Sequence, residues 1–270
     1  MFKLIAIDID DTLITDDKRI TPGTIDVIRR ATKQGVQVTL ATGRMYASAQ
    51  AVAKQLELNV PLITYQGSLV KTALDETVLY ERHVPADVAE ALFAYCDQHD
   101  LHIQAYHNDI LFAKKINQKL LDYCAISKVS YTIEPNLRKL AALPQNKIII
   151  IDDPARLDAL KPMFEQWFGD IVHITKSKPN FLEFIHPEGT KGHALRVLAE
   201  RFGCPMESVM AIGDSWNDVD MLQAAGFGVA MGNAVQPLKD VADYVTLSNN
   251  EEGVKHVFET FVLRDGPDGN

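Results

Sequence analysis

The chain has 270 residues, of which 47% are hydrophobic and 23% charged, and its formal net charge at pH 7 is −9. This length allows one large or two ordinary domains with a sizeable core, and the acidic balance argues against nucleic acid or an anionic membrane as the main partner. No apolar run approaches the roughly 20 residues of a membrane span, no signal peptide is evident and the three cysteines are widely spaced, so we expect a reduced, cytoplasmic protein.

The N-terminal stretch joins an apolar run to three acids. Leu4–Ile7 predicts a strand buried on both faces, as in parallel sheets, and Asp8, Asp10 and Asp11 follow where that strand leaves the sheet. Ligands bind at this edge of open α/β sheets, and acids are costly there unless a cation or a reaction needs them. A solvated acidic turn is the plain alternative. A calcium loop is excluded, because the required glycine and glutamate are missing.

Helices and strands then alternate with short loops. Such an order implies right-handed crossovers and a doubly wound, parallel sheet, the Rossmann-like α/β class. The loops at Asp8, Thr42 and Gln66 should therefore be neighbours at one sheet edge. The predicted elements are a helix from Thr21-Pro22 to Gly35, a strand at Val36–Leu40, a helix at Tyr46–Leu58 and a strand at Leu62–Tyr65.

From about Val84 the pattern changes to adjacent strands with tight turns, which predicts an antiparallel α+β domain inserted into the first one. We place this insertion at residues 84–186, and the first domain at 1–83 and 187–270. The predicted elements of the insertion are helices at Ala86–His99, Asn117–Ser127 and Pro154–Phe168, and strands at His102–Tyr106, Ile110–Ala113, Lys147–Ile151, Ile171–Ser177 and Phe181–Ile185.

The α/β rhythm resumes near Lys191. The tail from Arg264 is rich in Gly, Pro and Asp, and we expect it to be frayed. The predicted elements are a helix at Ala194–Phe202, a strand at Val209–Ile212, a helix ending near Ala225, a strand near Gly228–Met231, a helix near Pro237–Val241 and a strand near Tyr244–Thr246.

Chemistry-bearing residues gather at four stations of the first domain, each at a strand end or helix start. Carboxylates from two strands suit Mg²⁺, which prefers oxygen ligands and leaves room for a substrate phosphate. A threonine hydroxyl, a glycine N–H, an asparagine amide and a lysine suit the phosphate itself. The stations are Asp8 with Asp10, Thr42 with Gly43, Lys191, and Asp214 with Asn217 and Asp218.

Charge counting at these stations predicts a mechanism. Asp8, Asp10 and Asp214 bring −3, and Mg²⁺ with Lys191 brings +3, so crowding by a phosphate dianion should favour a proton on Asp10. Asp8 would then attack phosphorus to form an aspartyl-phosphate, while Asp10 protonates the leaving oxygen and later deprotonates the hydrolytic water.

These motifs resemble the four motifs of the haloacid dehalogenase superfamily, and the insertion resembles the large α/β cap of its Cof-type sugar-phosphate phosphatases. The resemblance implies a Mg²⁺-dependent phosphatase acting on small phosphorylated metabolites. It implies these roles: Asp8 as nucleophile and metal ligand; Asp10 as acid/base and metal ligand through its carbonyl; Asp214 as metal ligand; Ile9, Thr42, Gly43, Lys191 and Asn217 as phosphate- or substrate-binding positions; Thr12, Arg44, Ser215 and Asp218 as supporting residues.

The sequence departs from this family at two positions: Asp11 stands where Cof-type members usually have glycine, and Gln66 where they usually have asparagine. For Arg44 we expect a structural pairing before a direct catalytic role. Two other functions stay open, a phosphomutase using the same aspartyl-phosphate and a phosphate sensor without turnover. The patterns specify neither a particular substrate nor an oligomeric state.

Overall fold

A computed structural model of the chain describes residues 1–57 and 60–263. Its strands are β1 (Leu4–Asp8), β2 (Gln37–Ala41), β3 (Pro61–Thr64), β4 (Leu69–Thr72), β5 (Val78–Glu81), β6 (His102–His107), β7 (Ile110–Ala113), β8 (Tyr131–Ile133), β9 (Ile148–Ile151), β10 (His173–Lys178), β11 (Phe181–Ile185), β12 (Val209–Gly213), β13 (Phe227–Ala230) and β14 (Tyr244–Val245). Its α-helices are α1 (Pro22–Lys33), α2 (Tyr46–Leu56), α3 (Ala86–Gln98), α4 (Gln118–Ser127), α5 (Pro154–Phe168), α6 (Lys191–Arg201), α7 (Val219–Ala224), α8 (Gln236–Lys239) and α9 (Gly253–Val257).

The first sheet has eight strands in the order β14-β13-β12-β1-β2-β3-β4-β5. Strands β14 to β3 are parallel, and β4 and β5 form an antiparallel extension. Strand β1 lies in the middle, with Leu4 paired to Val209 on one side and to Gln37 on the other. Helices therefore cover both faces of β1, which explains its unbroken apolar run and confirms the buried strand.

The second sheet has six strands in the order β10-β11-β9-β6-β7-β8, antiparallel except for the β7–β8 pair. The predicted hairpin is confirmed: β6 and β7 are joined at Asn108-Asp109, both with positive φ (51° and 59°), as a tight two-residue turn requires. We call the α+β unit built around this sheet the cap. It is inserted between β5 and α6 of the Rossmann-like core.

Alternate residues of the cap sheet serve two different cores. Along β9, Ile148 and Ile150 belong to an apolar cluster with Leu92 of α3 and Phe164 of α5. Ile149 and Ile151 point to the other face of the cap sheet and belong to the apolar cluster of the first sheet. One face of the cap sheet is therefore directed toward the core.

The predicted elements of the described residues are present with boundaries shifted by a few residues. The helix predicted at Tyr46–Leu58 ends at Leu56, and position 58 and the predicted frayed tail from Arg264 lie outside the described residues. Four elements were not predicted from the sequence because they are short and partly exposed: β4, β5, β8 and α9. No helix in the described ranges combines the length and apolarity that a membrane crossing requires.

Candidate active site

The four stations meet at the carboxyl edge of the first sheet. Asp8 ends β1, Thr42 follows β2 and Asp214 follows β12, because the connected strands are parallel. The predicted neighbourhood of the Gln66 loop is also present, since the Gln66 N–H donates to the Thr42 carbonyl at 3.1 Å. A cavity of about 360 Å³ opens here, large enough for a small metabolite. It is lined from the core by Asp8, Asp10, Asp11, Thr42, Gly43, Arg44, Asp214, Ser215, Trp216, Asn217 and Val235.

Lys191 is buried between two carboxylates. Its Nζ donates to Asp8 Oδ1 at 2.5 Å and to Asp218 Oδ1 at 2.6 Å. Burial lowers the pKa of Lys191, but the charges of Asp218 and Asp8 outweigh it and the net pKa is raised, so the ammonium stays charged. Lys191 is the first residue of α6, which begins three residues earlier than predicted because the Thr190 side chain accepts from the His193 N–H.

Asp8, Asp214 and Asp218 form an acidic cluster whose ligand atoms lie within 4.8 Å of one another. Burial, followed by the charge of Asp218, raises the pKa of Asp214 to about 8, so negative charge is poorly compensated there. Thr12 Oγ1 donates to Asp214 Oδ1 at 2.8 Å and orients it. A hard divalent cation binds to clustered carboxylate oxygens whose negative charge is not already balanced by a positive group. These residues therefore fit Mg²⁺.

Asp218 is an organising residue within this cluster. Its Oδ1 accepts from Lys191, and its Oδ2 accepts the backbone N–H groups of Asp214 and Ser215, both at 3.0 Å. Both oxygens are therefore engaged, which leaves Asp8 and Asp214 as the side chains better able to coordinate a cation.

Asp10 pairs with Arg44 across the mouth of the site. The guanidinium donates from Nε to Oδ2 and from Nη2 to Oδ1, both at 2.7 Å, a bidentate contact. Burial raises the pKa of Asp10, but the hydrogen bonds and charge of Arg44 outweigh it and the pKa is lowered. Charge counting did not include Arg44, whose contact lowers the pKa of Asp10; the proton expected on Asp10 beside a bound phosphate stays a prediction. The pairing expected for Arg44 is made with the acid/base candidate itself.

Gln66, the residue that departs from the family pattern, lies within the site. It is fully buried with φ 67°, and its Oε1 accepts from Asn217 Nδ2 at 2.7 Å. A Cβ on Gly43 would lie 2.5 Å from Gln66 Nε2, so a larger residue at position 43 would require the Gln66 side chain to move. The Thr42 hydroxyl accepts the Arg44 N–H at 3.2 Å, which shapes the same loop.

Two further predicted positions have simple explanations. Ile9 is fully buried and does not line the cavity, so the structure shows no surface of this residue for a ligand to contact. Asp11 has φ 59°, a left-handed conformation that glycine adopts freely and aspartate tolerates. Its carboxylate is half-exposed and lies 3.5 Å from Lys18 Nζ.

The cavity residues that the cap supplies were not predicted from the sequence. These residues come from a different sheet, and their approach to the core depends on how the cap packs. The usable signal was polar residues in otherwise apolar strands, as at Lys147 and Glu183. The cap residues that line the cavity are Tyr123, Ile126, Ser127, Lys147, Ser177, Lys178, Pro179, Phe181 and Glu183.

The Rossmann-like core carries the four stations at the carboxyl edge of its sheet, and an inserted α+β cap covers that edge. This is the architecture of a phosphoric monoester hydrolase of the haloacid dehalogenase type. Residues 5–258 match the family described as haloacid dehalogenase-like hydrolase. The chain belongs to this family, in its Cof-type phosphatase branch.

Known relatives extend over nearly the whole chain. A putative phosphatase from Streptococcus pyogenes is 36% identical over 97% of this chain and 98% of its own length. A 5-amino-6-(5-phospho-D-ribitylamino)uracil phosphatase from Bacillus subtilis is 28% identical over 96% and 97%. The X-ray structure of TM0651 from Thermotoga maritima superposes with a TM-score of 0.85 at 34% identity, covering 98% of this chain and 99% of that one.

Proposed function

We propose that this enzyme is a Mg²⁺-dependent phosphatase that hydrolyses phosphomonoesters of small cytoplasmic metabolites, sugar phosphates among them, through an aspartyl-phosphate on Asp8. The observation that carries the proposal is the Asp8–Lys191 contact of 2.5 Å at the edge of a cavity sized for a small metabolite. The phosphorylated ribityl substrate named for the Bacillus subtilis relative supports this class. The net charge of −9 speaks against nucleic acid or an anionic membrane as partner.

Asp8 acts as the nucleophile in the first step. Lys191 holds Oδ1, so Oδ2 attacks phosphorus as the bond to the ester oxygen breaks. Thr42, Gly43 and Asn217 bind the phosphate oxygens, and the Lys191 charge offsets the negative charge that develops on them. In the second step water attacks phosphorus, inorganic phosphate leaves and Asp8 is regenerated.

Asp10 carries the proton in both steps, giving it to the leaving oxygen and then taking one from water. Burial alone raises the pKa of Asp10, and the Arg44 contact is what lowers it. In this proposal a substrate phosphate competes with Asp10 for the Arg44 guanidinium, the pKa of Asp10 rises and its carboxylate takes a proton from solvent. Arg44 thus positions Asp10 between turnovers and sets its proton affinity.

Asp8 and Asp214, with the carbonyl of Asp10, would hold Mg²⁺, and Asp218 and Thr12 would position them. When bound, the cation supplies positive charge that binds a phosphate dianion in an acidic site. The raised pKa of Asp214 supports this assignment, because its ionised form lacks a compensating charge.

We further propose that residues 84–186 form the specificity domain, and that residues 1–83 and 187–270 form the catalytic domain. This division is supported by the two sheets, since the six strands of the cap lie between residues 102 and 185. The cap covers the site, excludes water and selects the leaving group.

The test is phosphate release from a panel of phosphorylated metabolites and from p-nitrophenyl phosphate, with Mg²⁺ and no bisphosphate activator. Asp8→Asn should lower kcat by at least about a thousandfold, because no nucleophile remains. Asp10→Asn should keep the metal but lose rate. Asp17→Asn is the matched control: its side chain lies in the same loop but is 78% exposed, so activity should be retained. Undiminished turnover by Asp8→Asn would overturn the proposal.

A further inference from the structure

The cap wall of the cavity carries two buried charges for which the mechanism has no use. The side chains of Lys147 and Glu183 are each only 2% exposed, yet both line the cavity that also holds Asp8 and Asp10. Their Nζ and Oε2 atoms lie 3.5 Å apart. Burying two charges costs free energy that hydrophobic residues of similar size would not incur, so the pair invites a functional explanation.

Strand geometry directs both side chains toward the core. Glu183 of β11 is registered opposite Ile149 of β9, and Lys147 lies two residues before Ile149. Residues registered opposite each other share a face of a sheet, so Glu183 emerges on the face whose apolar members join the core cluster. Lys147 lies just before β9, and its hydrogen bond to the Gly43 carbonyl shows that its side chain reaches the same side. Their neighbours in the same strands, such as Leu182 and Ile148, pack into the other face.

Glu183 is held firmly but keeps acceptor capacity. Ser177 Oγ donates to its Oε1 at 2.5 Å, and Gln66 Nε2 donates to its Oε2 at 2.5 Å. A carboxylate offers about four lone-pair positions, so each oxygen can accept one more hydrogen bond. Gln66 also accepts from Asn217, and this chain fixes the carboxylate relative to the phosphate-binding station.

Lys147 has donor capacity that its hydrogen bonding does not fill, and its Nζ also lies 3.5 Å from Glu183 Oε2 and 5.3 Å from the Tyr106 ring centroid. Its Nζ donates to the Gly43 carbonyl at 2.8 Å, and this is its one hydrogen bond within the described residues. An ammonium group has three N–H donors, and a buried donor without a partner is costly. Because Gly43 belongs to the proposed phosphate-binding loop, this contact places the Lys147 ammonium close to the phosphate site. Lys147 therefore faces the first few atoms of the leaving group.

We propose that Lys147 and Glu183 together recognise a hydroxyl group of the leaving group, close to the ester oxygen. A hydroxyl is both donor and acceptor, so a single one can accept from Lys147 and donate to Glu183. The pair has no net formal charge, so it offers no net positive charge to compensate a second phosphate. The preferred substrates are thus monophosphates of neutral polyhydroxylated metabolites rather than bisphosphates. This inference rests on the proposed phosphatase function.

The test compares glycerol 1-phosphate with n-propyl phosphate, which have the same carbon chain with and without hydroxyl groups. For the parent enzyme kcat/KM should be about ten- to hundredfold higher for glycerol 1-phosphate, as expected for a hydrogen bond to a charged group. Fructose 1,6-bisphosphate should be a poorer substrate than fructose 6-phosphate. Equal kcat/KM for the glycerol and propyl esters would overturn the inference.

Variants assign the preference to the pair. Lys147→Met and Glu183→Gln should each bring the glycerol-to-propyl ratio to within about threefold of one. If a single variant fails to fold, the double variant is measured instead, because it leaves no uncompensated buried charge. Its glycerol-to-propyl ratio should also lie within about threefold of one. Lys176→Met is the control, because Lys176 pairs with Asp158 at 2.7 Å outside the cavity, and its ratio should match the parent.

Three outcomes can be told apart. If the variants lower kcat/KM for both esters equally, Lys147 binds the phosphate or the pair only holds the cap, and the inference is wrong. If the parent hydrolyses p-nitrophenyl phosphate but does not discriminate between the esters, the inference fails while the phosphatase function stands. If p-nitrophenyl phosphate is not hydrolysed at all, the proposed function itself fails.

Discussion

The hairpin tip of the cap makes a contact with the core that can be tested by one substitution, Asp109→Ala. Asp109 Oδ1 accepts the Tyr46 N–H at 3.0 Å, and Oδ2 accepts the Ala47 N–H at 2.9 Å. Met45, the N-cap residue of helix α2, offers no side-chain acceptor to the first N–H groups of the helix. Asp109 of the cap domain is the acceptor instead. Tyr65 Oη also donates to Asp109 Oδ1 at 2.6 Å.

The loss of stability follows from these contacts. Removing an N-cap acceptor costs roughly 0.5–2 kcal/mol. Burial and the charge of Asp109 raise the pKa of Tyr65 well above its usual range, so its hydroxyl stays a donor, and leaving it without an acceptor costs about 1–3 kcal/mol. The sum is about 1.5–5 kcal/mol, and at about 2–4 °C per kcal/mol for a chain of this size the Tm should fall by roughly 3–20 °C.

Thermal unfolding and kinetics with p-nitrophenyl phosphate measure the effect. The matched control is Asp153→Ala. Asp153 accepts the Ala155 N–H at 2.9 Å at the N-terminus of α5, and this contact lies wholly inside the cap domain. This substitution should cost about 1 kcal/mol and leave kcat/KM unchanged. Asp109→Ala should also lower kcat/KM, since α2 begins two residues after Arg44.

A double-mutant cycle of Asp109→Ala with Tyr65→Phe isolates the hydroxyl contact, and the coupling free energy should be about 1 kcal/mol. If Asp109→Ala and Asp153→Ala lower Tm equally and neither changes kcat/KM, the hairpin tip does not hold the cap to the core, and the reasoning is refuted.

Two further predictions concern the acidic cluster and the Lys191 helix. The pKa of Asp214 is raised to about 8, so metal-free stability should fall as pH rises from about 4 to 8, and the Tm gain from Mg²⁺ should grow over that window. A pH-independent gain, or full activity in EDTA, would contradict this. Gly67→Ala should cost several times the roughly 1 kcal/mol of Gly35→Ala in thermal unfolding. Gly67 and Gly35 both have positive φ. A Cβ at position 67 would lie 2.2 Å from the Thr190 carbonyl oxygen, whereas a Cβ at position 35 would meet no atom within 4 Å. Equal costs would rule out the close approach.

Local patterns predicted the elements that depend on near neighbours in the chain. The apolar run of β1, the Thr21-Pro22 start of α1 and the Asn108-Asp109 hairpin are all present. In each case the signal lies within a few residues: burial on both faces, a side-chain cap, or a turn with positive φ. The short β4–β5 hairpin was missed because its strands are half-exposed and its register is irregular at Val70.

The sequence alone determined which residues gather at the sheet edge, because parallel strands deliver their carboxyl ends to one place. The tertiary structure alone decided what those residues contact. Arg44 lies 34 positions from Asp10, and Gln66 lies 117 positions from Glu183. Burial and partner charge set proton affinity and hydrogen bonding, and both depend on segments that are distant in the sequence and meet only in the folded protein.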